Sequence, residues 1–149
     1  TSMLPTLHDG DRVVLTAFDG NPKRGQVIIS VQPNAFDKPV VKRIIATENQ
    51  TVDIDFTSGK VYVDGELLSE PYINNLTISG DDVTFPVTVP EGHVFVMGDN
   101  RQGSTDSRST KIGFINENYI LGVVKYRMVN IDDETGEISR IDFKNMKVN

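Results

Sequence analysis

The sequence predicts an antiparallel all-β domain with a small β insertion and little helix. Three observations carry the prediction. Short runs rich in Val, Ile, Tyr and Phe recur along the 149 residues, bounded by Gly, Pro, Asn or Asp, as strands joined by turns are. Thr51-Val52-Asp53-Ile54-Asp55-Phe56 alternates polar and apolar residues, as a half-buried strand must. Asp64-Gly65 stands between two such runs, where a tight hairpin needs positive φ at both central positions.

Taken in order, residues 11–15 and 25–31 read as the first two strands, divided by the loop Asp19-Gly20-Asn21-Pro22. Residues 39–46 form a third, apolar except for Lys42 and Arg43. The alternating strand 51–56 and the hairpin 60–68 follow. Residues 85–90 lead through Glu91-Gly92 into a strand at 93–97. Residues 115–119 suit one short helical turn, 119–128 a long strand, and Glu134-Thr135-Gly136 a final hairpin. Turns and acids are densest from about Thr47 to Pro90. The expected organisation is therefore a core of residues 1–46 and 91–149 with a hairpin-rich insertion at 47–90.

Composition excludes several functions. Hydrophobic residues make up 38% of the chain, below the usual globular share but far above that of disordered chains. A formal net charge of −6 and the lack of a basic cluster argue against nucleic acid as a partner. Without cysteine there is no disulfide, thiol nucleophile or thiolate-held metal. His8 near Asp9 and His93 near Glu91 fall short of a metal-binding spacing, so neither metal nor cofactor is expected. No stretch approaches the ~20 apolar residues that cross a bilayer. Because the chain starts abruptly inside a motif, it is expected to be a fragment whose anchor has been removed.

Strand formation explains three segments poorly. They are Ser2-Met3-Leu4-Pro5-Thr6-Leu7 with Asp9-Gly10-Asp11, Val41-Lys42-Arg43, and the loop from Gly98 to Arg108. Each alone has an ordinary reading: a terminal hydroxyl, a lysine with a solvated tip, a surface loop rich in Asx turns. Together they suit acyl transfer. Desolvation lowers the pKa of a buried lysine, and its neutral amine can take the proton of a serine hydroxyl attacking a carbonyl. His8 and His93 leave a Ser–His pair open.

These segments resemble the sequence boxes of bacterial type I signal peptidases, in the Gram-positive branch. Ser2-Met3-Leu4-Pro5-Thr6-Leu7 is similar to the family's nucleophile box, and Asp9-Gly10-Asp11-Arg12-Val13 to the stretch after it. Val41-Lys42-Arg43-Ile44-Ile45 is similar to the general-base strand. Gly98-Asp99-Asn100-Arg101, with Ser104, Asp106, Ser107 and Arg108, resembles the last box. Tyr62-Val63-Asp64-Gly65 and Glu70-Pro71-Tyr72 add to the likeness, which extends to about Arg127.

The resemblance implies antiparallel sheets forming a coiled, barrel-like peptidase core, and a membrane-associated serine endopeptidase on the extracytoplasmic face of the cell membrane. Its partners would be the signal peptides of secretory preproteins, cut after Ala-x-Ala, and membrane lipid reached through the missing anchor. Ser2 would be the nucleophile, Lys42 the general base, and Ser104 a hydrogen-bond partner of the lysine amine. Arg43 would pair with Asp99 and Arg108 with Asp106 as structural supports. The Ser2 N–H would serve an oxyanion hole, whose second donor lies upstream of Thr1. An extended substrate would bind along Val40-Val41, with Met3, Leu7 and Val41 lining shallow pockets; plain core packing is the competing reading for those three.

The sequence departs from the family at Ala46-Thr47-Glu48-Asn49-Gln50, where Gly-x-Pro-Gly-Asp is usual. Ser109-Thr110-Lys111-Ile112 lengthens the last loop before Gly113, and the tail from Asn130 is polar and matches nothing. Two rivals remain open at this point: a self-cleaving peptidase resembling the SOS repressors, which lack the last box, and a non-catalytic relative assisting assembly of exported subunits.

Overall fold

A computed structural model describes residues 1–131, 135 and 138–140. Its strands are β1 (Arg12–Ala17), β2 (Val27–Ser30), β3 (Val40–Ala46), β4 (Thr51–Asp55), β5 (Lys60–Val63), β6 (Glu66–Leu67), β7 (Val87–Thr88), β8 (His93–Met97), β9 (Ile115–Asn116), β10 (Ile120–Ile131) and β11 (Ile138–Arg140). Among the described residues the only helical turn is a 3-10 turn at Glu117–Tyr119. The Asn116 side chain caps it by accepting the Asn118 N–H at 2.9 Å. The fold is all-β and the strand pairings are antiparallel.

The larger sheet has the order β1-β10-β2-β3-β8-β9, with β11 also pairing β10; the smaller has the order β6-β5-β4-β7. β1 and β2 follow each other in sequence, yet β10 lies between them. β8 is covered on both faces. Its two-residue period sends Val94 and Val96 into one core cluster and Phe95 and Met97 into another. The second cluster takes in Val52, Ile54, Val61 and Val63, so the small sheet packs against β3 and β8. Edge-to-face contacts run along Phe56, Phe85, Phe95 and Phe114, with ring centroids 5.8, 5.9 and 6.1 Å apart.

Local expectations hold where local chemistry decides. In β4, Val52 and Ile54 are buried while Asp53 and Asp55 are exposed. Asp64 and Gly65 turn the β5–β6 hairpin at φ 51° and 80°. The segment 85–90 holds only the two-residue strand β7, since Pro86 and Pro90 on either side cannot donate to a ladder. β1 runs past its expected end through a bulge between Val14 and Leu15. At the altered turn after β3, Asn49 takes the left-handed conformation, φ 63°, which asparagine tolerates. In the lengthened loop Ile112 is buried and joins the core. Of the expected C-terminal hairpin, Glu134 and Gly136 lie outside the described residues, as does the tail 141–149.

Candidate active site

The loop 2–7, the start of β3 and the loop 98–108 meet at one place. Lys42 Nζ donates to Ser2 Oγ at 2.9 Å and to the Val41 carbonyl at 3.0 Å. Met3 and Leu7 anchor the loop apolarly, packing with Val27 and Val124 beside Val13, Ile29 and Val41. Lys42 is only 5% exposed. Burial lowers its pKa from the ordinary 10.5; Asp106 works in the opposite direction, and Arg108 adds to the lowering. Arg108 grips Asp106 through Nε–Oδ1 and Nη2–Oδ2, both 2.8 Å. Their fields at Lys42 therefore oppose each other, and desolvation decides the direction.

The two expected ion pairs form. Arg43 Nε and Nη2 meet Asp99 Oδ1 and Oδ2 at 2.7 and 2.6 Å, with the side chains 2% and 0% exposed. The Arg108–Asp106 pair is 5% and 0% exposed. Ser104 behaves otherwise than expected. Its hydroxyl donates to Asp106 Oδ2 at 2.8 Å, and the amine donates to Ser2 and Val41 instead. A fully buried carboxylate is a strong acceptor, and the hydroxyl serves it as a charge-assisted donor. Gly98 N–H binds the same Oδ2 at 2.9 Å.

Three contributors have no assigned role in the sequence reading. Arg101 is buried and binds Glu70 at 2.5 and 3.1 Å, Thr77 at 2.8 Å and the Gly98 carbonyl at 3.0 Å. Tyr72 lies over Arg43, whose Cζ is 3.9 Å from the ring centroid; burial, with Glu70 nearby, pushes its hydroxyl up to about 12. Glu70-Pro71-Tyr72 is part of the family likeness, but its sequence does not show which arginines it serves. The third is Gly98. A Cβ there would lie 2.3 Å from Ser104 Oγ and 2.5 Å from both Ser104 Cβ and the Ser2 carbonyl oxygen. Gly98→Ala is expected to push Ser2 away from Lys42 and lower kcat by about 100-fold, the cost of an ångström-scale misplacement. Circular dichroism would check that the fold persists; a native kcat would mean that the loop yields without moving Ser2.

A groove of about 330 Å³ opens beside Ser2 and Lys42. Met3, Leu7, Val40 and Val41 line it, with His8, Asp9 and Asp11 also contributing. Met3 and Leu7 thus serve core and groove together. β8 pairs with β3 only from Arg43 onward, so Val40, Val41 and Lys42 are left unpaired by β8. His8 and His93 do not join Ser2: His8 contacts Arg127, and His93 Nδ1 contacts the Glu91 carbonyl. Among the described residues no cluster of three or more His, Cys, Asp or Glu could hold a metal ion. Nor is any helix there long and apolar enough to cross a membrane.

Known proteins share this arrangement of sequence and fold. Residues 1–129 match the family described as signal peptidase, peptidase S26. Signal peptidase I of Bacillus amyloliquefaciens is 36% identical over 138 residues, covering 85% of this chain and 68% of the relative. Signal peptidase I T of Bacillus subtilis (strain 168) gives the same identity and coverage. The crystal structure of a signal peptidase I from Enterococcus faecalis V583 superposes with a TM-score of 0.55 at 29% identity, covering 72% of this chain and 98% of that one. The chain belongs to the signal peptidase family, peptidase S26, and is a serine endopeptidase.

Proposed function

We propose that this chain removes N-terminal signal peptides from exported preproteins at the extracytoplasmic face of the cell membrane, cutting after small residues of the Ala-x-Ala type. The observation that carries the reading is the 2.9 Å contact between Ser2 Oγ and a lysine nitrogen that burial keeps short of its ordinary basicity. Neutral Lys42 takes the Ser2 proton as Oγ attacks the scissile carbonyl. The oxyanion meets the Ser2 main-chain N–H. Protonated Lys42 then gives its proton to the leaving amine, and the acyl group stays on Oγ. Water, deprotonated by the same lysine, releases it.

The free start of β3 supports binding of an extended substrate, by adding a strand along Val40-Val41. Met3, Leu7 and Val41 would limit the adjoining pockets to small side chains. The insertion at 47–90 would be a structural support, since its sheet shares a core with β3 and β8. Substrates held at a membrane imply lipid as a second partner.

The test is cleavage of an Ala-x-Ala signal-sequence peptide in detergent micelles, with the cut mapped by mass spectrometry. A cut after the final Ala, absent in Ser2→Ala and Lys42→Ala, is the expected result. If the native chain cuts neither this peptide nor a full-length preprotein, the non-catalytic reading takes its place. Autolysis in alkaline buffer with no peptide cleavage would favour the self-cleaving reading. The pH dependence has a definite sign. Only neutral Lys42 is active, so kcat/KM rises with pH through its lowered pKa and then levels off. A rate flat from about pH 6 to 9 would count against a lysine base.

A further inference from the structure

We infer that Thr6 is a positioning residue for Ser2 and Lys42: its hydroxyl ties the loop carrying Ser2 to the carboxylate that also fixes the strand carrying Lys42. The inference rests on the proposed dyad and adds a residue to it.

Ser2 sits in a loop that belongs to no strand, yet its hydroxyl must stay in register with an amine on β3. Bonds inside the loop, Leu4 N–H to Thr1 O at 3.2 Å and Leu7 N–H to Met3 O at 2.9 Å, shape it without placing it. Burial of Met3 and Leu7 holds the loop down, but apolar packing is non-directional. Direction comes from polar attachments to other segments. The Asn100 N–H donates to Ser2 O at 3.0 Å, Thr6 Oγ1 donates to Asp99 Oδ2, and Arg127 Nη1 donates to Thr6 O at 3.0 Å. Adjacent residues, Asp99 and Asn100, therefore hold the loop near both its ends.

Asp99 is also fixed from the other side. It is fully buried, takes both Arg43 bonds, and Arg43 follows Lys42 directly in β3. Arg43 is held in turn by the Gly25 carbonyl at 2.7 Å and by the Tyr72 ring. Ser2, Thr6, Asp99, Arg43 and Lys42 form a closed circuit, completed by the Ser2–Lys42 hydrogen bond. A neutral hydroxyl suits its place: Asp99 already has a guanidinium, and the O–H fills a further lone pair without adding a second cation. Without it, the loop would keep the Asn100 tether to Ser2 and the Ser2–Lys42 hydrogen bond itself, but lose the link through Asp99 and Arg43 that fixes it to the strand bearing Lys42.

Thr6→Val keeps the branched shape and removes the donor, whereas Thr6→Ser keeps the donor. With a signal-sequence peptide, Thr6→Val is expected to lower kcat by about 10- to 100-fold, with KM and the apparent pKa of the pH profile close to native. Thr6→Ser should retain most of the native kcat. Thr6→Ala repeats the measurement should the valine variant unfold, and urea unfolding gives the folded fraction by which each rate is divided. A native kcat per folded molecule in Thr6→Val, an equal loss in Thr6→Ser, or a change in KM alone would overturn the assignment. Ser2→Ala and Lys42→Ala run alongside separate the two readings. If both are inactive and Thr6→Val is native, only the Thr6 assignment is lost. If either turns over normally, the dyad fails and this inference fails with it.

Discussion

Alanine at Ser2 or methionine at Lys42 is expected to lower kcat for an Ala-x-Ala peptide by about 10⁴- to 10⁶-fold, the range over which loss of a nucleophile or its base acts. The two losses should not add, because the hydroxyl and the amine act as one unit. Lys42→Arg should be equally inactive, since a guanidinium stays protonated and cannot serve as a base. Stability should move the other way. Burial lowers the folded-state pKa of Lys42 below 10.5, so the folded chain holds this proton less tightly than the unfolded chain does. That cost is complete below the folded pKa and vanishes above the ordinary one. Lys42→Met should therefore be more stable near neutral pH by about 1 kcal/mol, a common exchange at active sites, with the gain shrinking as pH approaches 10.5. Urea midpoints of both proteins across that range would check it. A methionine variant less stable than the native chain at pH 7 would mean that the amine's two hydrogen bonds outweigh its desolvation.

Asp99→Ala should be the most destabilising substitution near the site, by about 3–5 kcal/mol, because it leaves a buried guanidinium without its counter-charge. Arg43 is 2% exposed and Asp99 fully buried, so water cannot replace the lost carboxylate. The same variant removes the acceptor of Thr6, and activity should fall in whatever fraction still folds. Chemical unfolding with an unchanged m-value would report the loss. Pairing the change with Arg43→Met should recover part of it, since the double variant leaves no unpaired charge at that place. A cost under about 1 kcal/mol for Asp99→Ala alone would show that the Gly25 carbonyl and the Tyr72 ring suffice to hold Arg43.

What the sequence by itself determined is whatever near neighbours in the chain decide. The alternation of β4, the Asp64-Gly65 turn and the limits of β8 follow from period-two burial and positive φ, and all appear where expected. The boxes around Ser2, Lys42 and residues 98–108 were legible because their residue types are unusual in strands. The ladder position of β10 between β1 and β2 was not legible, because strand periodicity carries no information about partners.

The tertiary structure alone decided which side chains are buried together. A lysine in an apolar strand reads equally well as a snorkelling side chain; packing by distant segments is what desolvates it. Ser104 turns to Asp106, Arg101 to Glu70, and Thr6 to Asp99 across 93 residues. Gly98 looks like any loop glycine until Ser2 and Ser104 close around it. Such contacts depend on the path of the whole chain, and on the rule that a buried charge must find a partner wherever the fold brings one.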